Sequence, residues 1–297
     1  RDSQAPHFSG QEVLLVEDNP INQQVAVELL EEANLRVRVA ENGAQAVEVV
    51  RKRGRSPAFE LVFMDIQMPV MDGYEATRLI RAMPGQEVMP IIAMTAHAMD
   101  AERERCLACG MNGHIAKPIE VGGLYEILRS YLALADPASK ETDKLRSCAF
   151  EDGEAAPIRA ESEIRSDKHM NMNADGGLPN LPGFDMDGAL QRLAGNQKLY
   201  RTLVERFYNS YSKYGAEIES VIAEAKMEDA QRGAHTIKGL AGTLGHQGLA
   251  EASLALETAC RDAAQSGGGA SAVAAELAQF QARLGEVIGA LSGMFAA

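Results

Sequence analysis

At 297 residues with a formal charge of −13, the chain is long enough for two ordinary domains, each with its own core. The acidic balance excludes nucleic acid as the main partner, because neutralising phosphates requires basic patches. No run of about 18 apolar residues occurs, which excludes a membrane-spanning helix and predicts no membrane contact by this segment. There is no signal peptide, and the start at Arg1 reads as the cut edge of a larger protein or as the start of a piece made for expression.

From Gln11 the pattern alternates strand and helix. Val13, Leu14, Leu15 and Val16 form an apolar run that ends in the acid pair Glu17–Asp18. A helix follows from about Pro20, with Val25, Val27, Leu29 and Leu30 on its apolar face. Val37 and Val39 mark a second strand, and Ala46, Val47, Val49 and Val50 a second helix. Leu61, Val62, Phe63 and Met64 suit a strand buried on both faces, which ends abruptly at Asp65. Pro69, Asp72 and Gly73 then read as a loop, followed by a third helix through Leu79 and Ile80. A fourth strand, from Pro90 to Met94, ends at Thr95, and the helix after it carries Cys106 and Cys109. His114, Ile115 and Ala116 form a brief fifth strand ending at Lys117–Pro118, and Leu124, Ile127, Leu128 and Leu132 share one face of a fifth helix.

Cys106 and Cys109 make a lone CxxC near His114, with no second pair at metal spacing. They read as the end of an amphipathic helix, with Leu107 and a cysteine facing the core and Gly110 as the stop.

Five repeats of strand then helix predict a doubly wound parallel sheet. Its strand ends lie along one edge, so Glu17, Asp18, Asp65, Thr95 and Lys117 can converge. Glu17, Asp18 and Asp65 supply hard oxygen ligands of the kind Mg²⁺ takes. Thr95 can hydrogen-bond a phosphoryl oxygen, Lys117 can neutralise another, and Asp65 can attack phosphorus. Singly, Asp18 could be a helix cap, Thr95 a strand residue and Lys117 a solvated charge. Their arrival on successive strand ends favours the joint reading.

The motifs VEDN, DIQMPVMDG, MTA and AKP resemble the receiver domain of two-component response regulators and hybrid kinases, over residues 11–134. The resemblance implies a flavodoxin-like five-stranded sheet with Asp65 as phosphoacceptor. It also implies Glu17, Asp18 and Asp65 as Mg²⁺ ligands, helped by the backbone carbonyl of Gln67. Thr95 and Lys117 take phosphate-sensing roles, and the Lys117–Pro118 bond is expected to be cis. The family's usual switch aromatic, three residues before the lysine, is replaced here by His114, a polar ring that can take up a proton and so departs from the family's pattern.

Residues 135–180 lose periodicity and read as a disordered tether. About 45 flexible residues reach roughly 40 Å, which allows contact between the two halves without enforcing it. Order resumes at Leu181 with a short helix. A long helix is expected from about Gln197, its stripe running from Leu199 past Tyr211 to Ile222. The next spans about Asp229 to Gly245. Two more follow, one through Leu249, Leu254, Leu256 and Cys260 and one from Val273, separated by SGGGAS. No strand signal appears, so an all-α antiparallel bundle is predicted over residues 181–297.

His235 shares a helix face with Lys238, Gly239 and Gly242. Two glycines inside a helix cost about 1 kcal/mol each relative to alanine, and they would let another domain approach the imidazole. His246 lacks such neighbours and reads as a surface residue. AHTIKGLAGTLG resembles the histidine phosphotransfer (HPt) signature HxxKGxxxxxG, at His235, Lys238, Gly239 and Gly245. That resemblance implies phosphoryl carriage on His235, electrostatic help from Lys238 and no metal held by this domain.

Together these features resemble the receiver-plus-HPt tail of a hybrid sensor histidine kinase. The phosphoryl group would come from an upstream kinase histidine to Asp65, pass to His235, and leave to a separate response regulator. Receiver–HPt contact would form within or between chains. No ATP-binding module is visible, so the segment reads as a phosphotransfer carrier of a parent histidine kinase. The resemblance places it in the cytoplasm, with the parent anchored in the bacterial inner membrane. A haloacid dehalogenase-type phosphatase is disfavoured, because Gln67 stands where its second acid belongs. A non-catalytic docking module is the alternative, and a CxxC zinc or redox sensor comes last.

Overall fold

The computed structural model describes residues 6–54, 56–95, 100–133 and 181–295. The tether expected at 135–180, with Cys148, lies outside these residues. Apolar runs in the first half become strands: β1 (Glu12–Val16), β2 (Arg36–Ala40), β3 (Leu61–Asp65), β4 (Ile91–Thr95) and β5 (Gly113–Ala116). Between and after them come α1 (Pro20–Glu32), α2 (Gly43–Arg53), α3 (Gly73–Arg81), α4 (Asp100–Ala108) and α5 (Val121–Tyr131). The strands pair in parallel in the order β2-β1-β3-β4-β5, the flavodoxin-like arrangement.

Alternation along the strands builds two apolar layers. Val13, Leu15, Leu61, Phe63, Ile92 and Met94 pack with α1 and α5, whereas Leu14, Val16, Val62, Met64 and Ala93 pack with α2, α3 and Cys106 of α4. Central β3 and β4 are buried along their whole length, as strands covered on both faces must be. Cys106 is the core-facing cysteine, while Leu107, expected inside, is 48% exposed because α4 turns it outward.

The second half is helical. Asp185 caps α6 (Met186–Arg192) through a bond from the Gly188 amide, and Asn196 caps α7 (Gln197–Tyr211) through the Leu199 amide. The single long helix expected from Gln197 is broken after Tyr211, and α8 (Tyr214–Ala223) follows. The break sets Tyr214 edge-on to Tyr211 at 5.4 Å and against Phe280, while Ile218 and Ile222 still reach the core.

Next come α9 (Met227–Leu244), α10 (Gln247–Ser266), a 3₁₀ turn (Ala270–Val273) and α11 (Ala274–Phe295). Gly245 ends α9 at φ +86, with the position of a Cβ only 2.4 Å from the Asp185 carbonyl oxygen, so glycine is required there. Leu254, expected on the apolar stripe of α10, is 38% exposed, and that stripe runs instead through Leu249, Leu256 and Cys260. His246 is also not a surface residue. It is buried, caps α10 by accepting the Leu249 amide on Nδ1, and packs edge-on against Phe184 at 5.0 Å.

The halves meet where α1 and the turn after β5 face α7 and α9. Asn19 of that α1 entry donates to the Tyr211 hydroxyl at 2.8 Å, and Pro118 packs over Gly242.

Candidate functional site

Register brings the strand ends together. Val16 pairs with Met64, Asp65 with Met94, and Thr95 with Ala116, so Glu17, Asp65, Thr95 and Lys117 fall along one sheet edge. Asp65 is held there by a tight loop. Gly73 donates to the Ile66 carbonyl, and a Cβ on Gly73 would lie 2.2 Å from the Asp65 carbonyl oxygen. Glu17 is fixed through Asn22, whose side-chain amide donates to Oε1 at 2.9 Å, and through Gln23, whose amide donates to its backbone carbonyl at 2.6 Å.

The Lys117 ammonium bridges the two buried acids, 2.5 Å from Glu17 Oε2 and 2.7 Å from Asp65 Oδ2. Burial acts to lower its pKa, but the charges of Asp65 and Glu17 outweigh burial and hold it above the ordinary value. Burial, with the neighbouring negative charge of Glu17, raises the Asp65 carboxyl against the pull of Lys117. Burial and Glu17 likewise push Asp18 up to about 6. Carboxylate oxygens of Glu17, Asp18 and Asp65 all lie within 4.8 Å of one another. Three acids against one ammonium leave the cluster short of positive charge, and hard oxygen donors at this spacing suit a divalent cation such as Mg²⁺. Among the described residues this is the only group of three or more His, Cys, Asp or Glu side chains so placed. Cys106, Cys109 and His114 are not part of it.

Across the domain junction, His235 projects from α9. Its Nδ1 lies 3.1 Å from Oε1 of Glu257 on α10, and Lys238 Nζ donates to Glu257 Oε2 at 2.7 Å. Arg261, one turn further along α10, donates to Oε1 at 2.9 Å. Glu257 is wholly buried, which acts to raise its pKa, but the His235 hydrogen bond and the Lys238 charge push it down to about 2. Burial lowers the His235 imidazole, Glu257 opposing. Sequence reasoning missed Glu257. The available signal was an acid interrupting the apolar stripe of α10, with an arginine four residues on.

Glu17, Asp18, Asp65, Lys117, His235 and Lys238 line a single cavity of about 260 Å³. Gly242 forms a notch at its rim, where a Cβ would lie 3.3 Å from Pro118 Cγ and Cδ, while the Gly239 position is open. Two expected residues stand apart from the cavity. Thr95 is buried at the end of β4, its carbonyl accepting the Lys117 amide at 2.6 Å. Gln67 uses its backbone amide on Asp65 Oδ1 at 3.3 Å, and lines a neighbouring groove with Tyr74, Arg105 and Arg232. The Lys117–Pro118 bond is cis, as the receiver resemblance implied.

Two family models match the chain. Residues 13–129 match the response regulator receiver domain model, and residues 202–290 match the Hpt domain model. Signal transduction histidine-protein kinase BarA of Escherichia coli (strain K12) is 44% identical over 119 residues, which are 40% of this chain and 12% of that protein. Sensor protein GacS of Pseudomonas syringae pv. syringae is 40% identical over 137 residues, covering 44% of this chain and 15% of that protein. The solved receiver domain of sensor histidine kinase PA1611 from Pseudomonas aeruginosa PAO1 has a magnesium ion coordinated in its active site cleft. It is 43% identical with a TM-score of 0.38, over 41% of this chain and 98% of that one. The chain thus spans only 12–15% of the length of these curated relatives.

Proposed function

The chain carries a receiver domain followed by an Hpt domain, the pairing used in phosphorelay signalling, and we propose that it takes a phosphoryl group onto Asp65 and passes it to His235. The observation that carries this reading is the single cavity lined by both residues. A receiver over residues 11–134, a tether over 135–180 and an Hpt domain over 181–297 would together form one relay segment.

In the first step an oxygen of the Asp65 carboxylate attacks phosphorus of an upstream phosphohistidine. The P–N bond breaks and an acyl phosphate forms. In the second, the Nε2 lone pair of His235 attacks the same phosphorus, the P–O bond breaks, and Asp65 is returned as carboxylate. Glu257 keeps the imidazole proton on Nδ1, so Nε2 is the free nucleophile. The Lys117 ammonium, already poised between Glu17 and Asp65, neutralises a phosphoryl oxygen. The Thr95 hydroxyl, at the end of β4 beside Lys117, would hydrogen-bond another. Lys238, held by Glu257, keeps positive charge beside the receiving imidazole. Glu17, Asp18 and Asp65, with the Gln67 carbonyl, would hold Mg²⁺, whose charge offsets that of the transferred group.

The phosphoryl donor is the histidine of an upstream kinase domain and the final acceptor a separate response regulator. Receiver–HPt contact forms within or between chains, and the lining of one cavity by both Asp65 and His235 supports transfer within one chain. The segment works on the cytoplasmic side of a membrane-anchored hybrid kinase. Among the described residues no helix is long and apolar enough to cross a membrane.

The test is labelling with Mg²⁺ and acetyl phosphate, comparing the wild type with Asp65→Asn and His235→Gln. Acid-labile phosphohistidine that disappears in Asp65→Asn establishes the order of transfer. A folded chain labelled on neither residue overturns the relay and leaves a non-catalytic docking module.

A further inference from the structure

Asn19 follows the acid pair and performs two tasks at once. Its Oδ1 caps α1, accepting the Ile21 amide at 2.9 Å and the Asn22 amide at 3.1 Å. Its Nδ2 donates to the Tyr211 hydroxyl of the Hpt domain at 2.8 Å. Capping alone does not require asparagine, since aspartate, serine and threonine cap nearly as well. What asparagine adds is an N–H donor on the side facing away from the helix. Because the cap fixes the amide plane, that donor is already aimed before the domains meet, and docking costs little side-chain freedom.

The receiving side is equally fixed. Tyr211 ends α7, with its ring 5.1 Å from Phe207 and edge-on to Tyr214, so its hydroxyl has one place to be. The two groups meet one residue from Asp18, so a shift at this contact moves the acid pair relative to His235.

We propose that Tyr211 is a specificity-determining residue of the Hpt domain: it reads the residue after the acid pair and favours receivers that carry asparagine there. Its own receiver domain qualifies through Asn19, and a second partner receiver is chosen by the same contact. Serine at that position would cap α1 but present no N–H. Aspartate would cap it and place a further carboxylate beside Glu17 and Asp18. This inference rests on the phosphoryl-transfer reading for its consequence, but not for the contact itself.

The test uses the full chain as Tyr211→Phe, Asn19→Ser and the double variant. After Mg²⁺ and acetyl phosphate, conversion of base-labile phosphoaspartate into acid-labile phosphohistidine is followed, normalised to the phosphoaspartate present. Each single variant is expected to slow conversion about three- to tenfold, the worth of one hydrogen bond. The double variant should be no slower than the slower single one, as for two partners in one contact. Conversion at the wild-type rate in Tyr211→Phe, or single effects that multiply, overturns the proposal. Amide hydrogen exchange over residues 19–23 and 239–243 in unphosphorylated chains gives a second readout. Both single variants should speed exchange at the junction alike, and unchanged exchange also overturns the contact. If wild type never labels His235, the relay fails, while the exchange comparison still decides the reading of Asn19 by Tyr211.

Discussion

His235 Nδ1 lies 3.1 Å from a carboxylate oxygen of Glu257, an acid with no exposed surface. A carboxylate only accepts, so the contact is a hydrogen bond when Nδ1 carries the proton, and neutral imidazole then has its lone pair on Nε2. Burying an anion is costly unless it is paired and hydrogen-bonded. Glu257 meets that condition through His235, Lys238 and Arg261. The carboxylate therefore fixes the tautomer of one residue and the position of its charged neighbour together.

Glu257→Gln keeps the shape and replaces one acceptor oxygen with an NH₂ that must face a donor, either His235 or Lys238. Phosphoryl transfer to His235 is expected to fall about tenfold or more, the worth of a hydrogen bond to a charged group. Stability should drop on the order of 3 kcal/mol, as when one member of a buried ion pair is removed. Long-range ¹H–¹⁵N spectra should report an Nδ1–H tautomer in the wild type and its loss in the variant. An unchanged tautomer and rate would mean that Glu257 serves packing alone.

Acid should affect the same pair with a defined sign. Burial lowers the folded-state pKa of His235 below its ordinary 6.5. The unfolded chain therefore binds more protons there, and this site's contribution to stability falls as pH drops through 6.5. Glu257 adds a second loss: its stabilisation is complete above 4.5 and disappears as pH falls toward about 2. Transfer should plateau near neutrality, where Nε2 is free, and decline in acid with a midpoint below 6.5. NMR titration of the His235 ring measures this directly, and a midpoint at or above 6.5 contradicts it. In Glu257→Gln the midpoint should fall further, because the group that raises it is gone.

The receiver half was legible because three of the candidate site residues there terminate apolar runs. Asp65 follows Met64, Thr95 follows Met94 and Lys117 follows Ala116, and parallel topology alone makes such ends neighbours. Glu257 was hidden for the opposite reason: an acid on the apolar stripe of α10 contradicts the periodicity that identifies the helix. Its partners lie on α9, and nothing local announces them. His246 was misread because its burial depends on Phe184, far away in sequence. The break between α7 and α8 left no mark, since the apolar stripe runs through it in register. Asn19 and Tyr211 meet across 192 positions of chain, beyond any pattern argument.

The two glycines near His235 should separate on substitution. Gly242→Ala places a methyl 3.3 Å from two Pro118 carbons, so Pro118 must give by a few tenths of an ångström where the two domains meet. Conversion of phosphoaspartate to phosphohistidine should slow several-fold, while the helix itself gains propensity. Gly239→Ala meets nothing within 4 Å. It should therefore raise stability by up to about 1 kcal/mol without slowing transfer. Thermal melts and transfer rates on the two variants check this. Equal effects on transfer would mean that Pro118 does not seat against Gly242.

Lys117 is the cation already present among the acids, so removing it should reveal how much the cluster needs one. In Lys117→Ala, Glu17 and Asp65 would face each other at 2% exposure without their shared ammonium. Stability without Mg²⁺ should fall on the order of 3 kcal/mol, the cost of leaving buried charge unpaired. A ligand that binds only the folded state raises its melting temperature by mass action. Mg²⁺ should therefore stabilise the wild type, and stabilise Lys117→Ala by more, because the ion no longer shares its carboxylates with an ammonium. Chelation with EDTA should reverse both shifts. Melting curves that ignore Mg²⁺ in both chains would remove the metal from Glu17, Asp18 and Asp65. Equal shifts would mean that Lys117 and the ion do not compete for the same oxygens.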